Sequence, residues 1–165
     1  SLYASWIETF KRKGVKTVVD ASGKSLLHAV KAKPWFFKSN LFEISEALGQ
    51  KVQNLKQAQV LVQKNWLKNS FRHGALTDGS SGAILWKDQE CYLIKAPKMV
   101  SALVVGAGDG FLAGYLYGLR KGKSLKEAAA WAGAFGVTVA ARGIQGFSRE
   151  EVGLFYKRVK VRRIL

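Results

Sequence analysis

Leu2, Trp6, Ile7 and Phe10 recur at helical spacing and predict a helix over residues 2–13. Lys11, Arg12 and Lys13 sit at its C-terminal end and Gly14 stops it. Val15 to Val19 reads as a short buried strand that closes on Asp20-Ala21-Ser22-Gly23. Asp20 then has two readings. It faces a ligand at the end of a strand, or with Ser22 it caps the next helix, Lys24 to Lys31. Trp35-Phe36-Phe37-Lys38 predicts the next strand. Ser39 and Asn40 cap a helix with Glu43 in its first turn, apolar Leu41, Phe42, Ile44, Ala47 and Leu48, and Gly49 at its end.

Residues 54–68 form an amphipathic helix through Leu55, Ala58, Val60, Leu61, Val62, Trp66 and Leu67. Gly74 to Thr77 reads as a strand that ends in Asp78-Gly79-Ser80-Ser81-Gly82. Ala83 to Trp86 and Cys91 to Ile94 pair as a hairpin through Lys87-Asp88-Gln89-Glu90. Phe111-Leu112-Ala113-Gly114-Tyr115-Leu116-Tyr117-Gly118-Leu119 is a buried helix with small residues at close-packing positions. Ser124 opens a further helix to Val139, rich in Ala and Gly. Residues Arg142 to Phe147 are a loop. Ser148-Arg149-Glu150-Glu151 is a capping box for a last helix toward Tyr156, and Val159-Lys160-Val161 is a short terminal strand. Alternating helices and strands predict a parallel α/β sheet with helices on both faces, in one domain spanning 1–165.

Between the apolar run ending at Val105 and the buried helix lies Gly106-Ala107-Gly108-Asp109-Gly110. A Gly-rich turn at a helix start presents several backbone N–H groups, and the positive end of the helix dipole, to one anion. Asp109 is placed where a base is needed when a hydroxyl attacks a bound phosphate. The plain alternative is a tight loop followed by a helix N-terminal Asp. Asn40 and Glu43 likewise have two readings. They are a helix cap, or an amide and a carboxylate on one helix face that hold water around Mg²⁺.

Charge changes the picture next. The chain has 27 basic and 11 acidic residues, a net +16, which suits an anionic partner. No aromatic and basic alternation of the base-stacking kind accompanies it, so nucleic acid is attracted only nonspecifically. No apolar run reaches the roughly 20 residues of a membrane span. The single cysteine, Cys91, leaves no internal disulfide and suits a reducing cytosol, so a cytoplasmic location is expected. There is no signal-peptide pattern, and Ser1 in place of an initiator Met suggests a start inside a longer product or after processing. Only two histidines are present, His28 and His73. Both read as surface or packing residues, so Ser–His–Asp chemistry is not supported. Neither a Walker A nor a complete G-x-G-x-x-G pattern occurs.

The order of the pieces is more specific than any one of them. Val18-Val19-Asp20-Ala21-Ser22-Gly23, Lys38-Ser39-Asn40-Leu41-Phe42-Glu43, Thr77-Asp78-Gly79-Ser80-Ser81-Gly82-Ala83 and Gly106-Ala107-Gly108-Asp109 follow one another. In that order they resemble the ribokinase-like (pfkB) sugar kinases, in the branch of 1-phosphofructokinase and tagatose-6-phosphate kinase. The terminal Arg158-Val159-Lys160-Val161-Arg162 also fits that branch.

The resemblance implies a three-layer α/β/α, Rossmann-like sheet and ATP-dependent phosphoryl transfer to a phosphorylated hexose. It implies Asp109 as catalytic base and the amides of Gly106, Ala107 and Gly108 as anion hole. Lys38 would lie near the nucleotide phosphates, and Thr77, Gly79 and Gly82 along the nucleotide. Asn40 and Glu43 would organise Mg²⁺ mostly through water. The helix near Ala132 to Gly136 and the loop Arg142 to Gly146 would flank the adenine.

The resemblance covers only the C-terminal, nucleotide-binding portion of such a kinase. The N-terminal half, with most sugar contacts and the β-lid that closes the site and forms the family's homodimer, lies outside it. Little turnover is therefore expected of this chain alone. Three departures motivate an alternative, a degenerate non-catalytic module that binds anions or an acidic partner. Leu103-Val104-Val105 replaces a polar residue and a hydroxyl or proline, Gln145 replaces a common threonine, and the charge is unusual for the family.

Overall fold

Phe36 and Phe37 are buried side by side in a strand, which requires cover on both of its faces. The computed structural model, which describes residues 1–66, 72–99 and 105–165, meets that need with a mixed sheet and seven helices among those residues. The elements are α1 (Leu2–Arg12), β1 (Val18–Asp20), α2 (Gly23–Lys31), β2 (Phe36–Asn40), α3 (Leu41–Leu48), α4 (Leu55–Trp66) and β3 (His73–Thr77). A 3₁₀ turn (Gly79–Ser81) follows. Then come β4 (Ala83–Lys87), β5 (Glu90–Lys95), α5 (Ala107–Arg120), α6 (Leu125–Arg142), α7 (Arg149–Tyr156) and β6 (Lys160–Arg163). The strands take the sheet order β1-β2-β3-β4-β5-β6.

The chain separates into two compact units. The first comprises Ser1–Asp78 and Ile84–Gln89. In it β1, β2 and β3 pair in parallel, with Asp20 opposite Lys38, Lys38 opposite Ala75 and Asn40 opposite Thr77. Its core gathers Leu26, Phe36, Ile44, Leu76, Ile84, Leu85 and Trp86, all fully buried. His73 is packed edge-on between the Trp35 and Phe36 rings, whose centroids lie 4.7 and 4.9 Å away. Burial pushes its imidazole pKa from the ordinary 6.5 down to about 4, and Lys87 adds to that shift. His28 is exposed. Both histidines are thus surface or packing residues.

The second unit comprises Gly79–Ala83 and Glu90–Leu165. Here β5 and β6 run antiparallel, with Ile94 opposite Val161 and Lys95 opposite Lys160. Helices α5 and α6 pack backbone to backbone. A Cβ on Gly114 would lie 2.4 Å from the Trp131 carbonyl oxygen, one on Gly118 2.8 Å from Ala128 Cα, and one on Gly110 2.8 Å from Val139 Cγ2. Three glycines spaced four apart form one stripe of α5, and only bare backbone lets the two axes approach so closely. Among the described residues no helix is long and apolar enough to cross a membrane.

Several sequence expectations are corrected. The first strand is Val18–Asp20, not Val15 to Val19, and Val15 is exposed. The sheet is mixed, since β6 runs against β5. Ser22 stands at the N-cap of α2 as expected, though without a side-chain hydrogen bond, and Asp20 pairs with Lys38 instead of capping. Ser148 accepts from the Glu151 N–H, but Glu151 does not complete the box, because its carboxylate lies 2.6 Å from Arg142 Nε. The terminal strand is Lys160–Arg163. Leu67 and residue 68, expected in α4, and Leu103 and Val104 lie outside the described residues.

Candidate functional site

In the first unit the carboxyl ends of three parallel strands carry polar side chains. Such ends are where open α/β sheets meet their ligands. Lys38, the third residue of β2, is only 6 % exposed. Its Nζ lies 2.8 Å from Asp20 Oδ2 on the neighbouring strand. A buried ammonium needs such a partner, and the parallel register of β1 and β2 supplies it by setting Asp20 opposite Lys38.

Two residues later the strand turns straight into α3. Asn40 Oδ1 accepts from the Glu43 N–H at 2.8 Å, and Glu43 Oε2 accepts from the Asn40 N–H at 2.9 Å. This is a complete capping box, as the Asn-x-x-Glu spacing predicts. The buried Ser39 hydroxyl braces it, 3.3 Å from Glu43 Oε2 and 3.1 Å from the Asn40 carbonyl oxygen. Thr77, opposite Asn40 in the register, turns its hydroxyl to the Ser39 carbonyl at 3.5 Å.

The cap occupies the Asn40 oxygen and one Glu43 oxygen. The other Glu43 oxygen makes no hydrogen bond among the described residues and is a hard ligand of the kind Mg²⁺ prefers. Among the described residues no three His, Cys, Asp or Glu side chains cluster to hold a metal ion directly. The free Glu43 oxygen is the donor here that fits a Mg²⁺ ion keeping its own water.

In the second unit α5 begins at Gly106, which has φ +82° and serves as N-cap without any side-chain hydrogen bond. Its carbonyl accepts from the Gly110 N–H at 2.8 Å, so the first helical turn is formed. The N–H groups of Ala107, Gly108 and Asp109 take no acceptor among the described residues. N–H groups at a helix start lie at the positive end of the helix dipole. Asp109 sits in this turn and is exposed. A Cβ on Gly106 would come 3.1 Å from Ile144 Cδ1, so the loop after α6 lies over the turn. Val105, just before it, is 86 % exposed.

Gly136 faces inward. A Cβ there would lie 3.2 Å from the Ala107 carbonyl oxygen and 3.3 Å from Phe111 Cβ, so this residue sets the spacing of α6 under the α5 start. Gly82 has φ +108° and a would-be Cβ 2.2 Å from the Ile94 carbonyl oxygen. Gly79 has φ +48° in the 3₁₀ turn and open space around it. Lys95 Nζ donates to the Ser81 carbonyl in that same turn.

Sequence reasoning missed three of these roles. Ser39 is a small hydroxyl between Lys38 and Asn40 in a buried strand, and that is the signal for a bracing residue. Lys95 and Ile144 carry no local signal, because each acts on a segment remote in the chain.

Residues 1–150 match the family described as pfkB family carbohydrate kinase. A 1-phosphofructokinase of Haemophilus influenzae is 33% identical over 153 residues, covering 89% of this chain and 48% of its own length. A tagatose-6-phosphate kinase of Staphylococcus epidermidis is 31% identical over 138 residues, covering 82% of this chain and 44% of its own length. A solved structure of phosphofructokinase-2 from Escherichia coli superposes with a TM-score of 0.84 at 21% identity, over 93% of this chain and 50% of that one. That likeness fixes the fold as the three-layer, ribokinase-like α/β type, present here in part. The chain spans about half the length of the curated relatives it matches. Family match, relatives and fold agree, and the chain belongs to the pfkB family of carbohydrate kinases.

Proposed function

We propose that this chain carries the nucleotide and phosphoryl-transfer portion of a kinase of the 1-phosphofructokinase or tagatose-6-phosphate kinase type. In its full-length form the protein moves the γ-phosphoryl group of ATP to a hydroxyl of a phosphorylated hexose. The observation that supports the reading is the start of α5, where the Ala107 and Gly108 N–H groups take no acceptor among the described residues and Asp109 sits in the same turn. The relatives named 1-phosphofructokinase and tagatose-6-phosphate kinase support it.

Phosphoryl transfer asks a protein for position and charge cancellation more than for covalent chemistry. Asp109 takes the proton of the attacking hydroxyl as its oxygen bonds to the γ-phosphorus. The bond from phosphorus to the bridging oxygen breaks, and ADP leaves with that electron pair. The Gly106, Ala107 and Gly108 amides stabilise the charge on the transferring group. Lys38 meets the nucleotide phosphates, held ready by Asp20. Thr77, Gly79 and Gly82 line the nucleotide, and Gly136 keeps α6 close beneath α5. Mg²⁺, when bound, neutralises phosphate charge. Glu43 and Asn40 order its water. The N-terminal half of the kinase supplies the sugar contacts and the β-lid through which a homodimer forms, so the chain alone binds nucleotide but turns over little.

One observation favours a second reading. Among the described residues, which hold 26 of the 27 basic residues, only four ion pairs occur, which leaves most cations for an outside anion. A degenerate module of this fold would bind polyanions without chemistry. Calorimetric titration with ATP separates the readings. Mg²⁺-dependent binding that Gly108→Val or Asn40→Ala abolishes supports the kinase site. Binding that both variants retain, or that any polyanion matches with a steep salt dependence, supports the module.

A further inference from the structure

Lys95 and Lys160 face each other directly across β5 and β6, and Arg162 stands beside them opposite Leu93. In an antiparallel pair, residues opposite and two apart share one face. The register therefore gathers Lys95, Lys160 and Arg162 around Leu93, and all three cations are exposed. The other face, through Ile94 and Val161, lies against α6, where a Cβ on Gly133 would sit 2.9 Å from Ile94 Cγ2. Like charges directly opposite destabilise a sheet. None of the three cations has a carboxylate partner among the described residues, and Lys95 relieves its contact only by donating to the Ser81 carbonyl.

β6 ends the strand order, and among the described residues its outer edge has no partner. Cys91 and Ile164 are hydrogen-bonded across the pair, with Ile164 N–H donating to the Cys91 carbonyl at 2.8 Å. By the alternation of the ladder, the N–H and C=O groups of Val161 and Arg163 point away from β5. An open edge thus offers backbone groups at two positions and cations at the alternate two, Lys160 and Arg162.

We propose that the β6 edge docks an extended acidic peptide segment of another protein, which adds as a further strand. Side chains two apart along a strand recur about every 6.6 Å, so carboxylates alternating along the peptide match Lys160 and Arg162. Main-chain bonds to Val161 and Arg163 give affinity, and the charges set register. A nucleic-acid strand would ask instead for aromatic stacking platforms. This face offers only Leu93, with Tyr92 on the side turned to α6. The inference is independent of the kinase reading.

The test is fluorescence anisotropy of the whole chain with a labelled eight-residue peptide of alternating Thr and Glu. The controls are the same peptide with proline replacing each Thr, and a single-stranded oligothymidylate of equal charge. Binding of the Thr-Glu peptide should weaken by about tenfold or more in Lys160→Gln/Arg162→Gln and stay within about twofold in Lys11→Gln/Lys13→Gln. The proline peptide, which has no N–H at the positions that face Val161 and Arg163, should bind about tenfold more weakly. Absence of peptide binding overturns the proposal, as does equal binding of the proline peptide or an unchanged affinity in Lys160→Gln/Arg162→Gln. Tighter binding of the oligothymidylate also overturns it, and assigns the face to nucleic acid.

Discussion

Lys38 Nζ and Asp20 Oδ2 lie 2.8 Å apart across two adjacent parallel strands, at positions 18 residues apart in the chain. The lysine is buried and the aspartate is at the exposed rim. Asp20→Asn leaves the ammonium without its counter-charge. It should lower stability by about 2 kcal/mol in urea unfolding. Lys38→Met/Asp20→Asn should recover part of that loss. A double variant less stable than Asp20→Asn alone would contradict this account of the pair.

The α5–α6 contact makes a sharp contrast between two helical glycines. Gly114→Ala forces a Cβ into the Trp131 carbonyl and should cost about 3 kcal/mol or more. Gly153→Ala in α7 meets nothing within 4 Å and should gain roughly 0.5–1 kcal/mol from helix propensity. Denaturant midpoints compare the two directly, and equal effects would refute the packing argument.

His73 predicts a pH dependence. Its folded pKa, about 4, lies below the ordinary 6.5 because burial disfavours the imidazolium. Between those values the unfolded chain binds the proton and the folded chain does not, so stability rises with pH there. The contribution is complete above pH 6.5, is lost as pH falls toward 4, and amounts to roughly 3 kcal/mol at most. In His73→Phe the stability profile across that window should flatten. An unchanged slope would remove His73 as its source.

Asn40 serves α3 as cap whatever else it does. Asn40→Ser retains a capping oxygen and should stay within a few tenths of a kcal/mol of the parent, while Asn40→Ala should lose about 1 kcal/mol. Under the proposed function both variants weaken Mg²⁺-dependent ATP binding. Full ATP affinity in Asn40→Ser would confine Asn40 to the cap.

These contacts show what was legible from sequence. Asn40 and Glu43 sit three apart in one segment, so local spacing alone predicted their box. The α5 glycines announced close packing in the same way. The Lys38–Asp20 pair was hidden, because strand register decides it. The first strand was misplaced because Val15 is β-branched like Val18 and Val19, yet its N–H closes the end of α1 on the Phe10 carbonyl and it lies outside the ladder. Ser148 and Glu151 had the spacing of a box, but Arg142 from another helix drew the carboxylate away. For Lys38 and Glu151, a tertiary partner overrode a local pattern.

The central claim concerns Asp109 at the start of α5. Steady-state turnover of the full-length kinase with ATP and a hexose phosphate, wild type against Asp109→Asn, tests it most directly. The account predicts a kcat lower by about 10²–10⁴-fold with ATP affinity nearly unchanged. Near-normal turnover in Asp109→Asn would contradict it.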